Sequence, residues 1–328
     1  MKKLIILFLY AILITTTACS FTGEAPKEGV GEKTVQSEEL LPTEEMIQTV
    51  ETVQTEEEQV DLQTEQDTQT IETEAENPII CEEGDTLESR FNAPDGYDRT
   101  AEDEGSLALF LRNYPMKPYG SKVLLYDKRE KGNQGAHASV FVLPIEEYDL
   151  QQCADSVMRV YAEYFWATGQ YDRIAFHFTN GFEARYDKWR EGYRIDVNGN
   201  NVSWVSSASY DDSYECFVAY LKMVFCYAGT LSMETEATET TMEELKVGDV
   251  FLYGSSPGHV VMVVDTCVNL KGEKAFLLAQ GYMPAQEFHV LKNPNHEEDP
   301  WYYESELTYP LFTPEYTFDE GSLKSLNY

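Results

Sequence analysis

Between Ser20 and Ile80 the chain carries fifteen glutamates and two aspartates against only Lys27 and Lys33, and after Phe21 it has no aromatic residue. Such a stretch cannot bury enough apolar surface to offset the entropy lost on ordering, so it cannot belong to a packed core. An extended, self-repelling linker is the expected outcome. Folding is thereby confined to the residues beyond it, where aromatic side chains recur every few positions from about Leu87 onward. No internal repeat and no second Pro/Gly-rich break interrupts that region. The expected organisation is a disordered acidic linker over residues 20–86 and one globular domain over 87–328.

Charge narrows the partners. The 328 residues carry a formal net charge of −34, and residues 81–328 alone hold 41 acidic against 20 basic side chains. A polyanion of this kind repels nucleic-acid backbones and anionic lipid surfaces, so neither is an expected direct partner.

The N-terminus is expected to direct export. Lys2 and Lys3 precede an apolar run from Leu4 to Ile14, followed by small residues up to Ala18 and Cys19. This is the order of a signal peptide over residues 1–19, and the run is shorter than the ~20 residues a spanning helix needs. The Thr-Thr-Ala-Cys ending resembles a bacterial lipoprotein signal, in which Cys19 is lipidated. Thr16 stands where such signals usually carry Leu, which keeps ordinary signal cleavage as an alternative. The resemblance implies a protein on the extracellular face of the bacterial membrane, touching the bilayer only through lipid at Cys19.

Within the domain, periodicity predicts strands at 123–126 and 138–143, and a helix carrying Leu150, Cys153, Val157, Val160, Tyr161 and Tyr164 on one stripe behind Asp149 as N-cap. A short strand is expected at 174–178, and the Tyr/Trp-rich 181–206 region is ambiguous. A second helix follows Ser213, with Gly229 as its stop, and four short strands at 249–253, 259–268, 273–280 and 287–291 read as an antiparallel meander. The fold class is therefore α+β, an antiparallel sheet with packed helices.

Chemistry concentrates between Leu245 and Tyr282. Pro257 and Gly258 shape a turn that delivers His259 to the first position of a strand, where an imidazole can serve as a general base if a neighbouring polar side chain orients it. Gln280, ending the next strand, is the candidate orienter. A thiolate nucleophile belongs at a helix N-terminus, where free amides and the helix dipole favour the anion. Cys153 and Cys216 both meet that condition, and Gln151 or Gln152 would supply an oxyanion donor beside the former. Each cysteine also reads as a small buried hydrophobe. The remaining cysteines show no paired metal-ligand spacing, and the chain has no phosphate-binding glycine loop, no His-Glu-x-x-His helix and no serine elbow, so no metal or cofactor is expected.

Residues 245–282, with a Gly-Asp-Val strand, a Gly-His strand and a third strand bearing a polar residue, resemble the papain-like cysteine hydrolases of the NlpC/P60 and CHAP kind, which implies a papain-like scaffold. Further segments resemble the bacterial domain of unknown function 4846: Gly-Asn133-Gln134-x-Ala-His137, Asp149-Leu-Gln-Gln-Cys153-Ala-Asp155, His177-Phe-Thr-Asn-Gly, Pro-Gly-His259, and Leu-Leu-Ala-Gln280-x-Tyr-Met-Pro-Ala-Gln286 with His289 and Asn293 beyond it. That family carries no established activity. The resemblance tilts the choice of nucleophile towards Cys153, which lies in one of its motifs. The expectation is a cell-envelope cysteine-dependent amide hydrolase acting on cell-wall peptides, with Cys153 as nucleophile, His259 as base and Gln280 as orienter. Asn133, Gln134, His137, Gln151, Gln152, His177 and Gln286 are the candidate substrate contacts. The alternatives are a non-catalytic surface module that binds a glycan or peptide on the same scaffold, and a structural lipoprotein.

Overall fold

The computed structural model describes residues 78–328; the segment expected to direct export, Cys19 and most of the expected acidic linker lie outside the described residues. The chain is already packed ahead of Leu87. Ile79 and Ile80 lean on the core, Ile80 bridges Phe91, and the buried Arg90 donates from Nε to the Gly84 carbonyl at 3.0 Å. The linker boundary expected at residue 86 therefore lies further upstream. Among the described residues, no helix is long and apolar enough to cross a membrane.

A nine-stranded, wholly antiparallel sheet organises the fold. Its main path runs His137–Val140, His289–Leu291, Lys274–Gln280, His259–Asn269, Val250–Tyr253, Leu323–Leu326, Ala237–Glu239, while Tyr97–Arg99 and Tyr302–Tyr303 pair with the far ends of the two central strands. The central strands are buried on both faces, which explains the unbroken Val-Val-Met-Val-Val run. Val260, Met262, Val264, Leu277 and Ala279 face the helices, whereas Val261, Val263, Phe276 and Leu278 face a second cluster closed by Tyr302, Leu311 and Phe318.

A bulge interrupts the pairing: Leu278 faces Val263 but Leu277 faces Asp265, so Val264 has no partner of its own. An extra residue shifts the two-residue alternation. Cys267 consequently joins the same cluster as Val264, and Asp265 reaches the helix side, where it binds Arg99 and Arg112, each through Nε at 2.8 Å.

The helix Cys153–Ala167 lies against this face and is buried on nearly all sides. Tyr214–Tyr227, which follows Ser213 as expected and is capped by it, packs beyond that helix and presents Phe217, Tyr220, Leu221 and Val224 to the core. Sequence and structure differ at three places. Residues 123–126 form isolated bridges rather than a strand, because the chain doubles back at once through Lys128, at φ 69°. Asp149 does not cap the long helix; its carboxylate accepts instead from the Ala285 amide (2.7 Å) and from Gln152 Nε2 (3.1 Å), and the helix starts three residues later than expected. The ambiguous 181–206 region resolves into the strand Glu183–Arg185, the short helix Tyr186–Arg190 and a hairpin of Tyr193–Asn198 with Asn201–Ser206.

Candidate active site

With Asp149 engaged elsewhere, Gln152 becomes the N-cap and Cys153 the first helical residue. Asp155, in the third helical position, accepts from the Gln152 amide at 3.0 Å and fixes that start. The helix end is pressed against the end of the strand Lys274–Gln280. A Cβ on Gly281 would lie 2.2 Å from Ser156 Oγ and 2.8 Å from the Gln152 carbonyl oxygen, so this approach admits only glycine.

Three backbone amides face the Cys153 sulfur: those of Cys153 and Ala154 in the first turn, and that of Val260, the residue directly after His259. The last is available because the neighbouring strand stops at Gln280 and the chain turns away at Gly281. The amides favour a thiolate, but burial outweighs them; with the Asp155 charge adding to the effect, the thiol is pushed up to about 11.

His259 is 2% exposed and stands on the opposite face of its strand from Val260. Its Nε2 lies 2.7 Å from Gln280 Oε1. Tyr282 and Tyr316 flank the ring with centroids 4.8 Å away, and Phe318 stacks at 6.0 Å. Burial depresses the imidazole to about 4, against the opposing pull of the Gln280 bond. Gln280 Nε2 donates onward to Glu315 Oε2 at 2.8 Å, and Glu315 is held by Lys131 and by Asn133 Nδ2 (3.2 Å). Lys131 also lies 3.3 Å from His289 Nε2.

A cavity of about 580 Å³ opens beside the helix start, with Gln152, Cys153, Asp155, Thr230, Ser255 and Gly258 on its wall. Asp149 and Asp155 are the charged side chains lining it. Asp155 Oδ1 is buried without a hydrogen-bond partner, and burial pushes this carboxyl up to about 8.

The other expected contacts are scattered over the fold. Gln152 lines the cavity, and Asn133 sits one bond behind the Gln280 amide, on Glu315. Gln151 is fully buried, donating to the Pro144 carbonyl (3.1 Å) and accepting from Arg159. Gln134 ties together Val123 and Lys131. His137 bonds through Nε2 to the Ser121 carbonyl (3.0 Å) and borders a separate groove with Lys292 and His296. His177 pairs with Glu236 at 2.7 Å, although Thr179, two residues on, reaches the cavity wall. Gln286 is buried and bridges Leu125. Cys216 lies beside Trp189, Arg194 and Asp211, and both Cys216 and Cys153 are free thiols, so the structure brings Cys153 to the strand of His259.

The Gly-Asp pair is architectural. Gly248 (φ +101°) lets Tyr161 of the long helix donate to its carbonyl at 3.0 Å, and Asp249 accepts from Ser325 Oγ (2.6 Å) and the Lys246 amide (3.0 Å). Sequence reasoning missed Glu315 and Tyr316. The only signal was a lone carboxylate among aromatics in Phe312-Thr-Pro-Glu-Tyr-Thr-Phe318.

A family model described as a domain of unknown function (4846) matches residues 87–325. Comparison with curated proteins gives no match. Comparison with solved structures gives none either.

Proposed function

We propose that the chain, which belongs to the family described as domain of unknown function 4846, is a cysteine-dependent amide hydrolase acting on cell-wall peptides. The observation that carries this reading is the meeting at Val260: its amide faces a thiol at a helix N-terminus, and the preceding residue is an imidazole oriented by Gln280. With Nε2 committed to Gln280, the other ring nitrogen is the one free to take the thiol proton as sulfur attacks a carbonyl carbon. The amides of Cys153 and Ala154, with the Gln152 side chain on the cavity wall, supply donors for the developing oxyanion. The imidazolium then protonates the leaving amine, and water hydrolyses the thioester. The Asp149 side chain, with no cationic side chain on that wall, favours substrates that carry a free amino group. The export segment fits a protein tethered through Cys19 outside the cell membrane.

With the Cys153 thiol raised to about 11 and the His259 imidazole lowered to about 4, both groups rest neutral, so the thiolate forms only in the reacting complex. The same observation favours the second reading, a module that binds such peptides without turnover. Labelled cell-wall peptides separate the two. Hydrolysis is expected for wild type and Cys216→Ala, and its loss in Cys153→Ala and His259→Ala, with the melting temperature as a folding control. Undiminished hydrolysis in Cys153→Ala and His259→Ala overturns the assignment, and stoichiometric binding without cleavage supports the second reading.

A further inference from the structure

An amide side chain can sit in either of two orientations related by a half-turn, which exchange its carbonyl oxygen and its NH2 group. For Gln280 the neighbours at the two ends differ in kind. At one end is His259 Nε2, whose ring can present a proton or a lone pair; at the other is Glu315 Oε2, 2.8 Å away. Lys131, which can only donate, bonds to that same Oε2, and Asn133 Nδ2 donates to Oε1 at 3.2 Å. The oxygen facing Gln280 is therefore an acceptor, and only the NH2 end of the amide can meet it. The reversed amide would set two oxygens against each other in an environment where Gln280 is 0% and Lys131 6% exposed. Its cost there is that of an unmade buried hydrogen bond plus repulsion.

We propose that Glu315 is a positioning residue: by fixing the Gln280 amide it sets the proton of His259 on Nε2 and leaves Nδ1 as the basic nitrogen. The polarity runs one way, from the imidazole to the glutamine oxygen and from the glutamine nitrogen to the glutamate. Lys131 does not reverse it, because its other neighbour, His289, has Nδ1 on the Glu287 carbonyl (2.8 Å) and thus offers Nε2 as an acceptor. The tautomer assignment stands on this geometry; its weight in catalysis rests on the hydrolase reading above.

The test is nitrogen NMR of histidine-labelled protein near neutral pH, with the His259 resonances assigned from His259→Asn. Wild type is expected to show one tautomer, protonated at Nε2. Glu315→Gln, which keeps a carbonyl for the Gln280 NH2, is expected to retain it. Glu315→Ala is expected to show both tautomers, with kcat lowered roughly ten- to a thousandfold at little change in KM, short of the ~10⁴-fold loss of a base held wholly in the wrong tautomer. Should Glu315→Ala leave Lys131 buried and unpaired and fail to fold, the pair Lys131→Met with Glu315→Leu replaces the ion pair by apolar volume and serves the same measurement. A single Nε2-protonated ring in folded Glu315→Ala, or in the Lys131→Met, Glu315→Leu double variant, overturns the proposal. Loss of the single tautomer in a protein whose wild type cleaves no peptide upholds the positioning role and defeats the hydrolase reading alone.

Discussion

Asp155→Asn isolates the charge that most opposes a thiolate at Cys153. Asparagine keeps the oxygen that accepts from the Gln152 amide, so the helix start survives and the change reduces to a removed ionisation. The Asp155 carboxyl titrates at about 8 when folded, against 3.8 for the ordinary group. A raised carboxyl means that the folded state holds its proton where the unfolded state has released it. The stability this contributes is complete below the unfolded value and is lost as pH rises through the folded one. The slope is about 1.4 kcal/mol per pH unit, which amounts to roughly 4 kcal/mol by pH 7. The stability gap between Asp155→Asn and wild type should therefore be near its baseline at pH 4, grow steadily in favour of the variant, and level off above pH 8. Urea unfolding across this range, followed by aromatic fluorescence, reads that curve. Any constant offset from the orphaned Oδ1 position cancels in the slope. The variant should also alkylate faster at Cys153 above pH 8, since the charge that lifts the thiol is gone. A gap that stays flat from pH 4 to pH 8 would refute the burial argument for Asp155.

Two further substitutions probe the frame. Gly281→Ala drives a methyl into Ser156 Oγ and the Gln152 carbonyl, so unfolding free energy should fall by about 1–3 kcal/mol; a melting temperature within one degree of wild type would contradict the close approach. Asp265→Asn leaves Arg99 and Arg112 without their counter-charge beneath the sheet, at a cost of about 3–5 kcal/mol. Chemical denaturation of this variant should show a lower midpoint, and an unchanged one would remove Asp265 from the structural core.

The elements with a clear period were legible in the sequence: the long helix, the helix after Ser213 and the four strands from 249 to 291 all form, within a residue or two except at the start of the long helix. That displaced start shows what local pattern lacks. Asp149 is a good cap by type, but the Ala285 amide, 136 residues away, claims its carboxylate. Residues 123–126 have strand composition but no continuous partner. The pairing of His259 with Gln280 could be read because adjacent strands place their ends side by side. Glu315 could not, because it arrives from a small hairpin of Leu311–Phe312 with Thr317–Phe318 whose docking depends on the far face of the sheet. Gln151, His137 and His177 have the chemistry of ligand contacts, yet each has a local bond to satisfy, and nothing in a single sequence separates these uses.

The unpartnered Val264 divides one strand into halves with independent phase. From His259 to Val263 odd-numbered side chains point to the aromatic side; from Asp265 onward they point to the helices. At the same strand length, pairing without the bulge would put Asp265 on the aromatic side together with His259, away from its two arginines. The strand can thus anchor the helix layer on one side and carry the His259 imidazole on the other.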